Sequence, residues 1–191
     1  MMHILSVSNP NEEVTLRSSC KIVWDQDFDN GDVSKIVSEL HAALAHYGNG
    51  VGLSAIQLWY PLQIFVINCR PTKSFPDMQT FSQTIINPVT KNLSSDTFDW
   101  REWCMSIADE QCVPQYRYQV RRSVSVTFDY TDEHNIRHID TTLSGISAIV
   151  FQHEYDHLFG HLIDQVSLSE QVISQEEYLN RKNNGEKMVL S

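Results

Sequence analysis

The residues best suited to chemistry in this chain lie at 152–160, where the sequence QHEYDHLFG contains the pattern HExxH. On a helix, this spacing places His153 and His157 on one face, with the carboxylate of Glu154 beside them. Neutral imidazole is a good ligand for divalent zinc or iron, and a glutamate that is not a ligand can accept a proton from water. The pattern therefore predicts metal-assisted hydrolysis.

A catalytic metal of this kind usually has three protein ligands, so one more must come from elsewhere in the chain. The longer pattern HExxHxxGxxH is not completed, because Ile163 stands where its third histidine would be. A glutamate on a following helix, Glu176 or Glu177, would make a zinc peptidase, although both lie in a charged stretch. The remaining route is a cysteine thiolate from a distant segment, and Cys104 is the best candidate.

The helix that must present the two histidines is predicted from Ser144 to Gly160. Ser144 can cap its start and Gly160 can end it. Ile146, Ile149 and Val150 fall on nearly the same stripe as the histidines, which places the histidines on the side facing the core.

The other elements are predicted from periodicity and turn residues. A helix near the N-terminus is expected from Asp32 to Gly48, and a peripheral helix with few apolar residues from Ser169 to Lys182. Strands are expected at 63–68, 84–89, 124–130 and 137–143. The turn at 132–135 joins the last two strands into a hairpin, so antiparallel sheets are predicted.

Composition favours one globular domain over residues 1–191, since the chain is 41% hydrophobic and 10% aromatic. No apolar run approaches the roughly 20 residues of a membrane span. The formal charge of −10 opposes broad binding to DNA, RNA or an anionic membrane. Four cysteines in no CxxC pair favour reduced thiols and a cytoplasmic location.

Three separated segments together resemble the motifs of peptide deformylases. Residues 50–57, GVGLSAIQ, are similar to the family pattern GxGLxxxQ, and residues 152–160 match QHExDHLxG in full. Residues 102–106, EWCMS, resemble the middle motif EGCLS with two departures. The three segments occur in the family's order.

The resemblance implies an α+β fold in which antiparallel sheets pack around the central HExxH helix. It implies removal of the N-formyl group from the N-terminal formyl-methionine of nascent polypeptides, with release of formate. The implied metal ligands are Cys104, His153 and His157, and the ion is Fe²⁺ in cells, with Zn²⁺ or Ni²⁺ as replacements. Glu154 is implied as the proton carrier. A transient ribosome contact would involve Arg181 and Lys182.

The resemblance also implies residues that contact substrate. The Gln57 side chain and the Met105 backbone N–H would stabilise the oxyanion. The expected peptide contacts are Val51, Gly52, Leu53 and Trp103, and the expected methionine pocket is Ile146, Ile149 and Val150.

Trp103 is the main departure, because the family usually has a small residue there. We expect its indole to narrow or reshape the substrate groove. The alternatives are a ring that points away and packs on the surface, or a paralogue with altered activity that only binds formylated peptide ends.

Overall fold

The computed structural model describes residues 3–48, 50–73, 75–109, 112–184 and 189–190. Its helices are α1 (Pro10–Leu16), α2 (Asp25–Asp29), α3 (Asp32–Tyr47), α4 (Gly145–His157), α5 (Ile163–Val166) and α6 (Gln175–Asn183). Its strands are β1 (Gly52–Ser54), β2 (Ile64–Cys69), β3 (Phe81–Leu93), β4 (Thr97–Glu102), β5 (Tyr116–Ser123), β6 (Ser125–Thr131), β7 (Arg137–Ser144), β8 (Ser167–Ser174) and β9 (Val189–Leu190). Short 3₁₀ turns follow β1 (Ala55–Leu58) and β4 (Met105–Ile107).

Within these residues the strands form two antiparallel sheets. One has the order β1-β2-β3-β6-β7 and the other the order β8-β5-β4-β9. Helix α4 packs on strands of both sheets, so it lies at the centre as predicted. On its apolar side, Phe151 stacks on Phe128 with ring centroids 4.0 Å apart and meets Phe65 edge-on. The opposite side of α4 is thereby left facing β4, which leads to Cys104.

Helix α3 confirms its prediction closely. It runs from Asp32 to Tyr47 and ends at Gly48, whose φ of +66° is a conformation that glycine adopts without strain. Val33, Ile36 and Leu40 are among the buried residues of its apolar face. Together with β1 and β2 this face forms one of the hydrophobic cores.

Helix α4 differs from its prediction at both ends. Ser144 precedes the helix in extended conformation but makes no side-chain cap, and the α-helix ends at His157 rather than Gly160. Gly160 is still required by the fold, since its φ is +74° and a Cβ there would lie 2.4 Å from the backbone oxygen of Arg17. Glycine at this position therefore lets the end of the helix approach the segment after α1.

The predicted hairpin is confirmed. Strands β6 and β7 pair antiparallel, and the Asp132 carboxylate closes the turn by accepting backbone hydrogen bonds from His134 at 2.9 Å and Ile136 at 3.0 Å. The strand predicted at 84–89 is longer, because a register shift next to Pro88 lets β3 continue past it.

The predicted helix from Ser169 to Lys182 is wrong in its first part. Residues 167–174 form β8, which pairs with β5 through Val172 opposite Tyr118 and Ile173 opposite Arg117. Only Gln175–Asn183 is helical, and Ser174 caps it by accepting a hydrogen bond from the Glu177 backbone. The β-branched residues Val172 and Ile173 favour a strand once β5 offers an edge to pair with.

No helix within the described residues is long and apolar enough to span a membrane.

Candidate active site

Two elements bring the three potential metal ligands together. Cys104 follows the end of β4, and His153 and His157 lie one turn apart on α4. One ligand atom from each of these residues can be chosen so that all three lie within 4.8 Å of one another. Among the residues that the structure describes, Cys104, His153 and His157 form the one cluster of His, Cys, Asp or Glu side chains that could hold a metal ion. The cysteine predicted from sequence thus lies beside both histidines.

The donor set and its spacing fit a divalent ion. The Cys104 Sγ lies 3.4 Å from His157 Nε2. Tetrahedral zinc with Zn–N near 2.0–2.1 Å and Zn–S near 2.3 Å would hold such atoms about 3.5 Å apart. Burial lowers the pKa of His157 well below its usual value, so its imidazole stays neutral, which is the form that binds metals.

An ion-pair cluster fixes the orientation of His153. Its Nδ1 lies 2.8 Å from the Glu102 carboxylate, which leaves Nε2 for a metal. Glu102 also accepts two hydrogen bonds from Arg122, at 2.8 and 2.9 Å, and Arg122 reaches Asp156 at 2.6 Å. Although burial raises the pKa of Glu102, the Arg122 charge lowers it to about 2. Glu102 is therefore ionised and can hold the imidazole in place.

The proton state of His153 follows from the same cluster. Burial lowers its pKa, but hydrogen bonds with Cys104 and Glu102 raise it well above the usual value. A metal held at Nε2 would take the place of the proton that these contacts favour on the ring.

Glu154 is buried beside the ligands without being one of them. Burial raises its pKa to about 7, and its Oε2 has no hydrogen-bond partner among the described residues. A Cβ on Gly52 would lie 2.5 Å from Glu154 Oε1, so the backbone of β1 passes directly over this carboxylate. A carboxyl group poised near neutral pH can both accept and return a proton.

Gln57 lies in the 3₁₀ turn after β1 and is 2% exposed. Its Oε1 accepts a hydrogen bond from the Ser54 backbone at 2.9 Å. This directs Nε2 toward the site, where it donates to Ser106 Oγ at 3.0 Å and lies 3.8 Å from Cys104 Sγ. The Gln57 side chain thus holds the loop through Oε1 and also presents a donor, Nε2, beside Cys104.

A cavity of about 410 Å³ opens over these groups. Its lining includes the predicted residues Val51, Gly52, Gln57, Trp103, Cys104, Met105, Ile146, Ile149, Val150, His153 and Glu154. His157 is 1% exposed and lies behind this surface. Leu53 is the exception among the predicted substrate contacts, because its side chain is fully buried in the core beneath β1.

Trp103 lies on the cavity wall and packs against the hydrophobic core below it. The Arg117 Cζ lies 5.7 Å from the Trp103 ring centroid and 4.4 Å from that of Tyr178 on α6. The alternative in which the indole points away and packs on the surface is therefore wrong. Helix α6 is not merely peripheral either, since Tyr178, Leu179 and Lys182 line the same cavity.

The alternative of a glutamate as third ligand is not supported. Glu176 and Glu177 are exposed in the first turn of α6 and do not join the potential ligands, so the glutamate-ligated zinc peptidase is not favoured. The residues that sequence reasoning missed are Glu102 as the partner of His153, and Arg122. The available signal for both was one acidic residue in each of two motifs, Glu102 in the middle motif and Asp156 in the last.

The amino-acid sequence matches the family model for polypeptide deformylase over residues 1–172. It is 31% identical over 181 residues to peptide deformylase 2 of Nostoc sp., with 93% of each chain covered. It is 30% identical over 161 residues to the peptide deformylase of Leptospira biflexa serovar Patoc, with 83% of each chain covered.

Solved structures are similar in fold. The class I type b peptide deformylase from Acinetobacter baumannii with bound Met-Ala-Ser has a TM-score of 0.74 and 24% identity, covering 87% of this chain and 98% of the other. The peptide deformylase from Thermotoga maritima has a TM-score of 0.69 and 27% identity, covering 87% and 97%. These similarities confirm the predicted α+β fold.

Proposed function

Because the chain belongs to the polypeptide deformylase family, whose function is deformylation, we propose that the formyl group is removed from N-terminal formyl-methionine in the cavity over Cys104. The observation that carries this assignment of the site is the convergence of Cys104, His153 and His157 within 4.8 Å, with Glu154 buried beside them. The products are formate and a peptide with a free amino terminus.

Cys104, His153 and His157 would hold a divalent ion, with iron as the ion in cells and zinc or nickel as replacements. When bound, such an ion acts as a Lewis acid and lowers the pKa of water toward 7. The Glu102 carboxylate keeps His153 in the orientation that this requires.

Glu154 carries the proton. It accepts the proton of the attacking water at its carboxylate and returns it to the amide nitrogen that leaves as the new amino terminus. Its pKa near 7 suits both transfers, because the two protonation states are then close in free energy at neutral pH. Burial by the passing backbone of Gly52 keeps bulk water from this carboxylate.

The oxygen of the formyl group becomes negatively charged as water attacks, and it needs donors placed in advance. Gln57 Nε2 is one proposed donor, and its direction is fixed because the other end of the amide binds the Ser54 backbone. The Met105 N–H is the other. Met105 is the first residue of a helical turn, so its N–H has no acceptor within that turn.

The peptide backbone of the substrate would add to the outer edge of β1. This strand has β2 as its neighbour on one side and lies at the end of the sheet order in the described residues. Val51 and Gly52 line the cavity at this edge, so a peptide paired there would reach the Cys104 site. The methionine side chain would lie against Ile146, Ile149 and Val150 on the apolar wall.

The proposal is tested with the Cys104→Ala variant, and Cys112→Ala is its matched control because the two cysteines are 3% and 4% exposed. Protein purified without oxygen and loaded with iron is assayed for metal content and for formate release from formyl-Met-Ala-Ser. Cys104→Ala should lose both metal and activity, whereas Cys112→Ala should keep both. Metal and activity retained by Cys104→Ala would overturn the ligand assignment, and no formate from loaded wild-type protein would overturn the function proposed for the cavity.

The proposal extends to a cytoplasmic location, which the four free cysteines favour, and to a transient ribosome contact through Arg181 and Lys182. Because residues 167–174 form a strand of the second sheet, charge variants are a better test of that contact than removal of the C-terminal segment. Arg181→Gln with Lys182→Gln should weaken salt-sensitive co-sedimentation with ribosomes.

A further inference from the structure

One wall of the cavity carries positive charge that the proposed chemistry does not use. Three basic residues line it: Arg101 on β4, Arg117 on β5 and Lys182 on α6. The acidic residues of the lining are Glu102 and Glu154, and Glu102 is neutralised by its ion pair with Arg122. A cationic wall is unexpected on a chain of net charge −10, so it points to a specific use.

Among the residues that the structure describes, no acidic side chain forms an ion pair with Arg101. It is 8% exposed, and its Nη1 is buried without a hydrogen-bond partner among the described residues. Asp99, two residues earlier on β4, is already paired with Arg121. Burial of an unpaired charge is unfavourable, and an anion brought by a ligand would relieve it.

Arg117 is held in position without being neutralised. Its guanidinium lies against the rings of Trp103 and Tyr178, and its Nε donates to Gln175 Oε1 at 2.8 Å. These contacts restrict the side chain, yet none of them supplies a negative charge. Arg117 and Cys104 both line the cavity, and the ring that Arg117 contacts belongs to Trp103, the residue before Cys104 in the sequence.

Part of this wall lies beyond the region that the family model describes. The match ends at residue 172, whereas Gln175, Tyr178 and Lys182 belong to α6. The apolar lining residues Ile146, Ile149 and Val150, which suit the methionine side chain, come from a different element, α4. The basic and the apolar residues therefore suit different parts of a peptide.

We propose that Arg101, Arg117 and Lys182 form a subsite for a carboxylate on the peptide that follows the formyl-methionine, so that the enzyme prefers acidic formyl peptides. This inference rests on the proposed function of the cavity. The carboxylate is either an aspartate or glutamate side chain close after methionine or the free terminal carboxylate of a short peptide. Charge-assisted hydrogen bonds from a restricted guanidinium suit both.

The test uses the metal-loaded enzyme and pairs of formyl peptides. Glutamate is compared with glutamine at the second or third residue of amidated peptides, and formyl-Met-Ala-Ser is compared as free acid and as amide. At least one acidic member should have a KM about tenfold or more below that of its neutral counterpart. The difference should shrink with rising salt, because Lys182 is exposed.

Variants identify the residues responsible. Arg117→Gln and Lys182→Gln should each reduce the preference for the acidic peptide, and Lys35→Gln, an exposed lysine on α3, is the matched control for loss of one charge. Arg101→Gln is a further variant, but it is buried and must first be shown to fold. The comparison of acidic with neutral peptides on the wild-type enzyme tests the inference independently of these variants.

Calorimetry with the unformylated peptides separates this inference from the proposed function. Tighter binding of the acidic product by wild-type protein, lost in Arg117→Gln, supports the subsite even if no formate is released. Preference for the glutamate peptides assigns the subsite to a side chain, and preference for the free acid alone assigns it to a chain terminus. Equal binding and equal KM for every pair would overturn the inference while leaving deformylation intact.

Discussion

Substitution of Gly52 by alanine should disable the proposed base while leaving the fold in place. The new Cβ would lie 2.5 Å from Glu154 Oε1, 2.8 Å from its Cγ and 2.9 Å from its Cδ. Ordinary van der Waals contact begins near 3.4 Å, so the carboxylate would have to move by about 0.9 Å. The new methyl group would therefore clash with the Glu154 side chain, which carries the carboxylate proposed to transfer the proton.

The size of the effect follows from that displacement. A misplacement of about 1 Å at a catalytic group can lower the rate about 100-fold, which corresponds to about 2.7 kcal/mol in the activation free energy. The displaced Glu154 should lower kcat, because it acts on the proton, whereas any effect of the new methyl group on the peptide at the edge of β1 should appear in KM, so both are measured. Formate release under saturating peptide, at matched iron content, measures the loss in kcat.

Two controls isolate the contact. In Gly50→Ala the new Cβ would meet Met105 Cε and Leu44 Cδ2, which are ends of flexible side chains, so its loss of kcat should be smaller. In a Glu154→Asp background, which shortens the acid, Gly52→Ala should have a reduced effect, because residues in contact are not additive. A folded, metal-loaded Gly52→Ala enzyme with kcat within threefold of wild type would refute the argument.

Three further predictions concern the network and the fold. Glu102→Gln leaves Arg122 buried without its main partner and should destabilise the protein by about 3–5 kcal/mol in urea unfolding, with metal affinity falling about 10- to 100-fold as His153 loses its partner. Gly160→Ala should lower the free energy of unfolding by about 2 kcal/mol or more, because the new Cβ would clash with the Arg17 backbone. Its control is Gly145→Ala, also at positive φ but in open space, which should lower it by only about 1–2 kcal/mol. Equal losses of stability in the two variants would contradict this. Burial raises the pKa of Asp132, but hydrogen bonds from His138 and two backbone N–H groups lower this pKa below its usual value overall. The ionised Asp132 carboxylate therefore stabilises the fold above pH ~4, and this stabilisation is lost as pH falls through the pKa of the folded state. Asp132→Asn should therefore destabilise at pH 7 by about 1–2 kcal/mol and by less near pH 3, as measured by urea unfolding at both pH values.

Helices α3 and α4 and the β6–β7 hairpin could be predicted because their signals are local. Apolar periodicity, a terminal glycine and the polar turn at 132–135 each act within a few residues. The second sheet could not be predicted as readily, since β8 exists only where Val172 and Ile173 meet β5 about 55 residues earlier in the chain. Alternation along 116–122 was the available signal for β5.

For the site, the HExxH spacing predicted His153, His157 and Glu154, and the resemblance to the deformylase motifs implied Cys104 as the third ligand. The contact predicted at Leu53 is through its backbone, since strand alternation turns its side chain into the core while Gly52 lines the cavity. Arg117 and Tyr178 were missed because their contact depends on how α6 folds back onto β5. No sequence pattern within β5 or α6 predicts that these two elements pack against each other.

The Arg122 guanidinium joins three elements, since it lies on β5 and pairs with Glu102 on β4 and with Asp156 on α4. Cys104 follows β4 and both histidines lie on α4, so this cluster sets the distance between the two sources of ligands before any ion arrives. A site assembled in this way loses little conformational entropy on metal uptake. Ions should therefore exchange without refolding, and the identity of the resident metal is governed by relative affinity and supply.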